Sequence, residues 1–473
     1  MSQPNIVMFF IDDLGARDLG CFGSTFYETP NLDRLAREGL LFNNAYATCP
    51  VCSPTRASMM SGKYPARVGI TQFIGGHCEA SLKDVPYLHY LPLEEKSIAS
   101  SLSEGGYQTW HVGKWHLGDE RFWPQHHGFD VNIGGGHQGH PNNGFFSPWK
   151  LDNLENGPEG EYLTDRLTNE AIDLIKERKD KPFYLNFSHY AVHTPIQAPS
   201  ELVVKYKEKA KRLGLDQIQA IIPGKPNPRC PDYKWRIQRR IIQSDPTYAA
   251  MIENLDTNIG KLLKALDDEG LSENTMVCFT SDNGGLSTSE GSPTCNNPLA
   301  EGKGWNYEGG TRVCQIIRWP GVIDASRISD EIVQTCDFYP TFLEAAGLPL
   351  MPKQHVDGLS LMPVLKDEDK LNREAIFWHY PHYSNQGGWP AASLRSGKWK
   401  FIENFEDQSL ELYDLEEDVS EMSNVCDDHP ELVKSLHQKL QNWQKEVEAL
   451  VPEENPEWPA KMTRPLVPNN AHV

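Results

Sequence analysis

Unbroken apolar runs alternate with helical patterns over the first two-thirds of the chain. Pro4–Ile11, Phe183–Phe187 and Met276–Thr280 are continuous apolar stretches of strand length, which predicts strands buried on both faces. Thr29–Gly39 reads as a helix with Thr29 as cap, Pro30 in the first turn and Gly39 closing it. The longest helix is predicted from Asp245 to Gly270. Asp245 caps it, and Tyr248, Met251, Ile252, Leu255, Ile259, Leu262, Leu263 and Leu266 form one apolar stripe, which is core. This alternation predicts an α/β fold, a large mostly parallel sheet sandwiched by helices. After Glu374 the pattern shortens. Ala375–Tyr380, Ala392–Leu394, Lys398–Ile402 and Glu411–Asp414 read as strands of a smaller antiparallel sheet, closed by a helix over Pro430–Leu450. The division falls into a large domain, 1–373, and a C-terminal subdomain, 374–473. There is no internal repeat.

Two segments interrupt the pattern. Gly134–Gly160, rich in Gly, Asn, Pro and aromatics, is predicted to be a loop and carries His137 and His140. Lys205–Arg240 is locally basic, and reads either as a solvated helical excursion or as a rim that attracts anions.

Charge narrows the class of partner. The 473 residues hold 45 Lys+Arg against 65 Asp+Glu, a formal net charge of −20. That excludes nucleic acid and an anionic membrane as main partners. An anionic ligand would need a locally positive pocket. No run reaches transmembrane length. Asn5–Ile11 runs directly into Asp12-Asp13, a strand ending at a site rather than a leader. The ten cysteines lack framework spacing, several inside apolar runs, so free thiols in a reducing compartment are expected. The chain is read as cytoplasmic, the alternative being periplasmic or secreted with a signal peptide removed.

Asp12-Asp13 and Asp282-Asn283 each end a predicted strand, and the carboxyl edge of an open α/β sheet is where ligands bind. Three carboxylates and an amide oxygen make an oxygen-only set suited to Ca2+, or to Mg2+. Each dipeptide alone is also what a turn uses. Cys49-x-x-Cys52 finds no second pair to complete a zinc site. A thiol facing acidic groups is a poor nucleophile, because they raise its pKa. Cys52 needs chemical conversion before it can serve.

Cys52-Ser-Pro-Thr-Arg56 with Ser61-Gly62, and Gly106-Tyr-Gln-Thr-Trp-His-Val-Gly-Lys-Trp-His-Leu-Gly118, resemble the two signatures of the formylglycine-dependent (type I) sulfatases of the alkaline phosphatase superfamily. Met59 stands where that family more often has Leu, Ile or Phe. His193-Thr-Pro195, Lys303 and Glu308-Gly-Gly-Thr-Arg312 resemble its remaining site segments, and the likeness spans about Pro4 to Asn424. The resemblance implies removal of sulfate from an alcohol oxygen, with a maturase oxidising Cys52 to Cα-formylglycine as nucleophile. Asp12, Asp13, Asp282, Asn283 and residue 52 would hold the metal. Lys114 and Lys303 would hold the sulfate oxygens, Arg56 and His116 would position the nucleophile, and His193 would be the general acid. His137 and His140 are the substrate-binding candidates. His111 has no role in the signature and reads as structural. The expected substrate is small and sulfated, met by an exo-acting carbohydrate sulfatase. An aryl or steroid sulfatase, a phosphomonoesterase or phosphonate hydrolase, and an inactive metal-structured binding protein are the alternatives.

Overall fold

A computed structural model describes residues 3–228 and 235–458. Cys230, and Arg229 and Lys234 of the basic run, lie outside them. Strands β1 (Asn5–Ile11), β2 (Leu40–Tyr46), β3 (Gln108–Gly113), β4 (Val131–Ile133) and β5 (Phe183–Ser188) come first in the chain. A hairpin of β6 (Ile221–Pro226) and β7 (Arg236–Arg240) follows, then β8 (Thr275–Ser281), β9 (Arg312–Arg318) and β10 (Arg327–Gln334). Apart from the hairpin these form one eight-stranded sheet in the order β10-β2-β9-β8-β1-β5-β3-β4. Only β9 runs antiparallel to its neighbours, β2 and β8.

Side chains alternate across a strand, so β1 feeds two cores. Val7, Phe9 and Ile11 enter one, beneath helices Leu163–Glu177 and Pro246–Asp268; Ile6, Met8 and Phe10 enter the other, beneath Ile98–Glu104 and Phe338–Ala345. Full burial of each such side chain stabilises by about 1.5–3 kcal/mol. Asp245 caps the longest helix, accepting from the N–H groups of Thr247 and Tyr248. Thr29 differs from expectation. It precedes helix Pro30–Arg37 but makes no side-chain cap bond, because its hydroxyl accepts from Gly20 N and donates to Asp33.

The second sheet holds β11 (Ile376–Tyr380), β12 (Ala391–Ser396), β13 (Trp399–Asn404) and β14 (Leu410–Asp414), antiparallel and in chain order. Helix Pro430–Glu446 packs Leu436, Leu440 and Trp443 against Leu394, Phe401 and Leu412. The two sheets are tied by buried charge: Glu308 accepts from Tyr46, Arg312 and Lys400. Burial alone would raise the Glu308 carboxyl, but Arg312 and Lys400 outweigh it and hold it below the usual range.

Residues 134–160 are loop, anchored by buried Phe145, Trp149, Leu151 and Leu154. Among the described residues the basic segment is α-helical within Ser200–Arg212 and makes a short 3-10 turn at Leu215–Gln217; its second part is the β6–β7 hairpin, with Ile237 buried against the body of the protein. Among the described residues no helix is long and apolar enough to cross a membrane, and Cys49, Cys278, Cys314 and Cys336 are buried free thiols.

Candidate active site

The carboxyl ends of β1, β8, β5 and β3 converge. Asp12 and Asp13 follow β1, Asp282 and Asn283 follow β8, and Lys114 and His116 follow β3. His193 stands on the segment after β5, which is locked to β1 by Asp12 N to Ala191 O (3.2 Å) and Val192 N to Asp12 O (2.8 Å). Cys52 is the first residue of helix Cys52–Ser61, a helix buried along its whole length, and it meets the site at that helix's N-terminal end. Lys303 is brought in by its neighbour: Gly304 N donates to Pro50 O (2.8 Å), stitching the Lys303 loop to the approach to Cys52.

The cluster is almost fully paired. Lys114 Nζ lies 2.7 Å from Asp12 Oδ2 with both side chains fully buried, and Lys303 Nζ lies 2.8 Å from Asp13 Oδ2. Arg56 donates through Nε and Nη2 to Asp282 Oδ2 (3.0 and 2.7 Å) and through Nη1 to Lys114 O (3.1 Å). Asp282 Oδ1 accepts from Asp13 N (3.2 Å), and Asn283 Nδ2 donates to Asp13 Oδ1 (2.9 Å). Among the described residues two buried oxygens in this cradle, Asp12 Oδ1 and Asn283 Oδ1, have no hydrogen-bond partner, although Arg56 Nη2 lies 3.8 Å from Asp12 Oδ1.

Electrostatics shows what the cradle lacks. Burial pushes the Asp12 carboxyl well above its usual range; Lys114 opposes this, while Asp282 and Asp13 add like charge. Burial would also raise Asp13, but Lys303 and then His193 hold it below the usual range. Of this pair, the raised Asp12 carboxyl is the acid that its neighbours leave short of positive charge. Together with the two orphaned oxygens, it fits a hard cation. Asp12, Asp13 and His193 place ligand atoms within 4.8 Å of one another. His193 Nε2, however, accepts from Lys303 Nζ at 3.0 Å, so the oxygen donors are the freer set.

Two histidines have fixed tautomers. His116 Nε2 donates to Ile74 O (3.1 Å), which leaves Nδ1 as the lone pair 3.4 Å from Cys52 Sγ. His193 Nδ1 donates to Thr194 O (2.9 Å), so Nε2 is its lone pair. Burial pushes both well below the usual histidine value, and a neighbouring lysine adds to that. The Cys52 thiol is raised chiefly by burial. Lys114 and Lys303 pull it down, Asp282 and Asp12 push it up, and burial decides.

All ten predicted metal and catalytic residues thus meet in one buried cluster. The two substrate candidates separate. His140 stacks on His193 (centroids 5.5 Å, 9° between planes), whereas His137 pairs with Asp152 (2.9 Å) and is largely exposed. His111 is structural, donating to Gly113 O and accepting from Asn186. Two residues that the sequence did not single out stand beside the cluster: Glu290, whose strongest charged neighbour is Lys303, and Gln386, which binds it. Their only sequence signal was the Ser/Gly-rich character of both loops.

Paired acids and paired ammonium groups around the buried Cys52, at the carboxyl edge of a mostly parallel sheet, make a site able to bind a compact oxyanion. Residues 4–348 match the family model described as Sulfatase, and residues 302–446 that of the N-sulphoglucosamine sulphohydrolase C-terminal region. The chain is similar to a sulfatase of Formosa agariphila, 32% identical over 93% of this chain and 88% of that protein. It is also similar to N-acetylgalactosamine-6-sulfatase of Homo sapiens, 31% identical over 79% of this chain and 68% of that protein. Among solved structures, Ps i-CgsB in complex with k-i-k-neocarrahexaose is similar over 93% of each chain, with 28% identity and a TM-score of 0.74. The chain belongs to the sulfatase family, in the alkaline phosphatase superfamily, and is a sulfuric ester hydrolase.

Proposed function

We propose that this protein is an exo-acting carbohydrate sulfatase that works through a formylglycine at residue 52 and one calcium-type ion. The names of its relatives support a sulfated sugar: N-acetylgalactosamine-6-sulfatase, and a structure in complex with a neocarrahexaose. The observation that carries the mechanism is the Cys52 thiol, kept protonated by burial yet faced by the lone pair of His116.

Asp12, Asp13, Asp282 and Asn283 would hold the ion, which supplies Lewis-acid charge next to the sulfate oxygens. The oxidised residue 52 supplies, as a hydrated aldehyde, a hydroxyl able to attack sulfur and a second one by which sulfate is expelled. Everything else is done by the chain's own side chains. Arg56, held by Asp282 and the Lys114 carbonyl, fixes the floor beneath residue 52. His116 Nδ1 takes a proton from the residue 52 side chain. Lys114 and Lys303 swing their ammonium groups from Asp12 and Asp13 onto the sulfate oxygens, where negative charge gathers. His193, once Lys303 has left it and with Asp13 beside it, takes up a proton from solvent at Nε2 and gives it to the leaving alcohol, and His140 stacked on it lines the approach. The free thiols support a reducing compartment. All these groups lie in a catalytic domain 1–373.

The test joins three measurements on protein co-expressed with a formylglycine-generating maturase. The peptide containing Cys52 should carry the aldehyde mass. Sulfate should be released from sulfated sugars by wild type and not by Cys52→Ala. Calcium should raise thermal stability, by about 2.7 kcal/mol at a hundredfold excess over Kd, and Asn283→Ala should lose that rise. Full turnover by Cys52→Ala would end this reading.

A further inference from the structure

The segment Ser289–Ser292 is strained. Its four residues all have positive φ, 57°, 47°, 89° and 44°, and only one of them is glycine. Such backbone persists only where its surroundings over-determine it, and it clusters at functional sites. Here the surroundings are the β6–β7 hairpin. Ser289 N donates to Gln238 O (3.0 Å), the Ser292 hydroxyl donates to the same carbonyl (2.9 Å), and Arg240 N donates to Ser287 O (2.9 Å).

The residue this backbone presents is Glu290. Its side chain is gripped from the C-terminal subdomain. The Ser384 hydroxyl donates to Gln386 Oε1 (2.7 Å), which fixes the amide so that Nε2 donates to Glu290 Oε1, also at 2.7 Å. Gln386 is itself fixed, since Trp305 Nε1 donates to its carbonyl (3.1 Å) and Gln386 N donates to Ser384 Oγ (2.9 Å). The Ser384–Gln386 turn lies directly on Gly304, the neighbour of Lys303: a Cβ on Gly304 would meet Ser384 Oγ at 2.0 Å and Gln386 Oε1 at 2.7 Å. Among the described residues Glu290 Oε2 has no hydrogen-bond partner. Glu290 is exposed to solvent, so a ligand can reach it. It is nonetheless enclosed enough that burial raises its carboxyl, with Lys303 the main charge pulling it back and Asp13 the next influence.

A carboxylate beside a pocket for an anion is useless for holding sulfate. It accepts hydrogen bonds from hydroxyl or amino groups, and it repels a second anion on the same substrate. We propose that Glu290, positioned by Gln386, is a specificity-determining residue that accepts a hydrogen bond from a free hydroxyl or amino group next to the scissile sulfate and rejects sugars carrying a second sulfate or carboxylate there. This inference rests on the sulfatase reading of the site and names the substrate class: sugars with an isolated sulfate.

The experiment compares wild type, Glu290→Gln and Glu290→Asp, all with residue 52 converted. The substrates are two sugars with the same scissile sulfate, one with a free hydroxyl on the neighbouring carbon and one with a second sulfate there. Wild type should prefer the first by about tenfold or more, the scale of one like-charge contact near a surface. Glu290→Gln should lose that preference by gaining on the disulfated sugar, mostly through KM. Glu290→Asp keeps the charge and should keep rejecting it, while binding the monosulfated sugar more weakly. Gln386→Leu, which frees the carboxylate without deleting it, should narrow the preference and leave the melting temperature near wild type. An active wild type whose preference is unchanged in Glu290→Gln overturns the inference alone. A wild type that releases sulfate from no sugar overturns the reading of the site, and this inference with it.

Discussion

His116 Nδ1 stands 3.4 Å from Cys52 Sγ, while its other ring nitrogen is committed to the Ile74 carbonyl. The backbone at His116 is left-handed, φ 57°, and the ring packs against Gly139, where a Cβ would come within 2.5 Å of it. Strained backbone of this kind persists only where its surroundings over-determine it, and it clusters at functional sites.

The first prediction follows from that geometry. His116→Ala should lower kcat by about 10²–10⁴, the range of a lost general base, with a much smaller change in KM. Because burial and Lys114 push His116 well below its usual value, its lone pair stays available at mildly acid pH. A kcat–pH profile of wild type should therefore show no acid limb near pH 6.5 that disappears in the variant. Such a limb would mean that His116 titrates like an exposed histidine, against the depression that its burial implies.

The second prediction concerns the two lysines. Each ammonium now neutralises a buried carboxylate, so its removal has two effects. Lys114→Ala and Lys303→Ala should each lower kcat by on the order of a hundredfold or more. Each also strands a buried charge, and Lys114→Ala should cost about 3–5 kcal/mol of stability in the metal-free protein. Added calcium should return part of that loss, because it meets the same carboxylates. Chemical denaturation with and without calcium checks this, and a variant as stable as wild type would show that the Asp12–Lys114 pair is dispensable.

The sequence revealed the ingredients of this site better than their connections. Asp12, Asp13, Asp282 and Asn283 were legible because each pair ends an apolar run, and a buried parallel strand exposes little except its carboxyl end. The direction of β9 was not legible, since Arg312–Arg318 is buried on both faces and reads the same in either sense. The β6–β7 hairpin was hidden by its charge: Lys205–Arg240 looked like a solvated surface, yet Ile237 is buried and Arg240 donates into the 287–292 loop. The Glu290–Gln386 contact joins residues 96 apart across two sheets, and no local pattern encodes that.

The third prediction is a pH dependence of stability. His111 and His189 are fully buried, and burial holds each at about 3. An unfolded histidine titrates near 6.5, so between about 6.5 and 3 the unfolded chain binds more protons than the folded one. Stability from these residues is complete above pH 6.5 and is lost as pH falls through it. Among the described residues neither nitrogen of His189 has a hydrogen-bond partner, and its ring packs on Phe187, so His189→Phe is the clean probe. From about pH 7.5 to about pH 5.5 wild type should lose about 1.4 kcal/mol more than the variant, read from urea midpoints. Equal losses would show that His189 protonates in the folded state.

The last prediction concerns substrate size and starts from charge. At a net charge of −20 the protein repels a polyanion wherever positive charge is not concentrated. The basic 205–240 segment is a region that could reverse this, and much of the charge on its described residues is already spent within the fold. Lys205 pairs with Glu28 and Glu253, Lys209 with Glu28, Lys225 with Glu301, and Arg240 with Asp245. Inside the pocket, on the proposed reading, Lys114 and Lys303 would act on one sulfate at short range, where salt screens little. A long sulfated chain must lay further anions over acidic surface outside it. The enzyme should therefore release sulfate from a sulfated mono- or disaccharide with higher kcat/KM than from the parent polysaccharide. Raising salt from about 0.01 M to about 0.15 M shortens the screening length from about 30 Å to about 8 Å, which should speed the polymer reaction relative to the small one. Faster release from the polymer at low salt would mean that the hairpin and the Ser200–Arg212 helix form an anion-binding track despite their internal pairs.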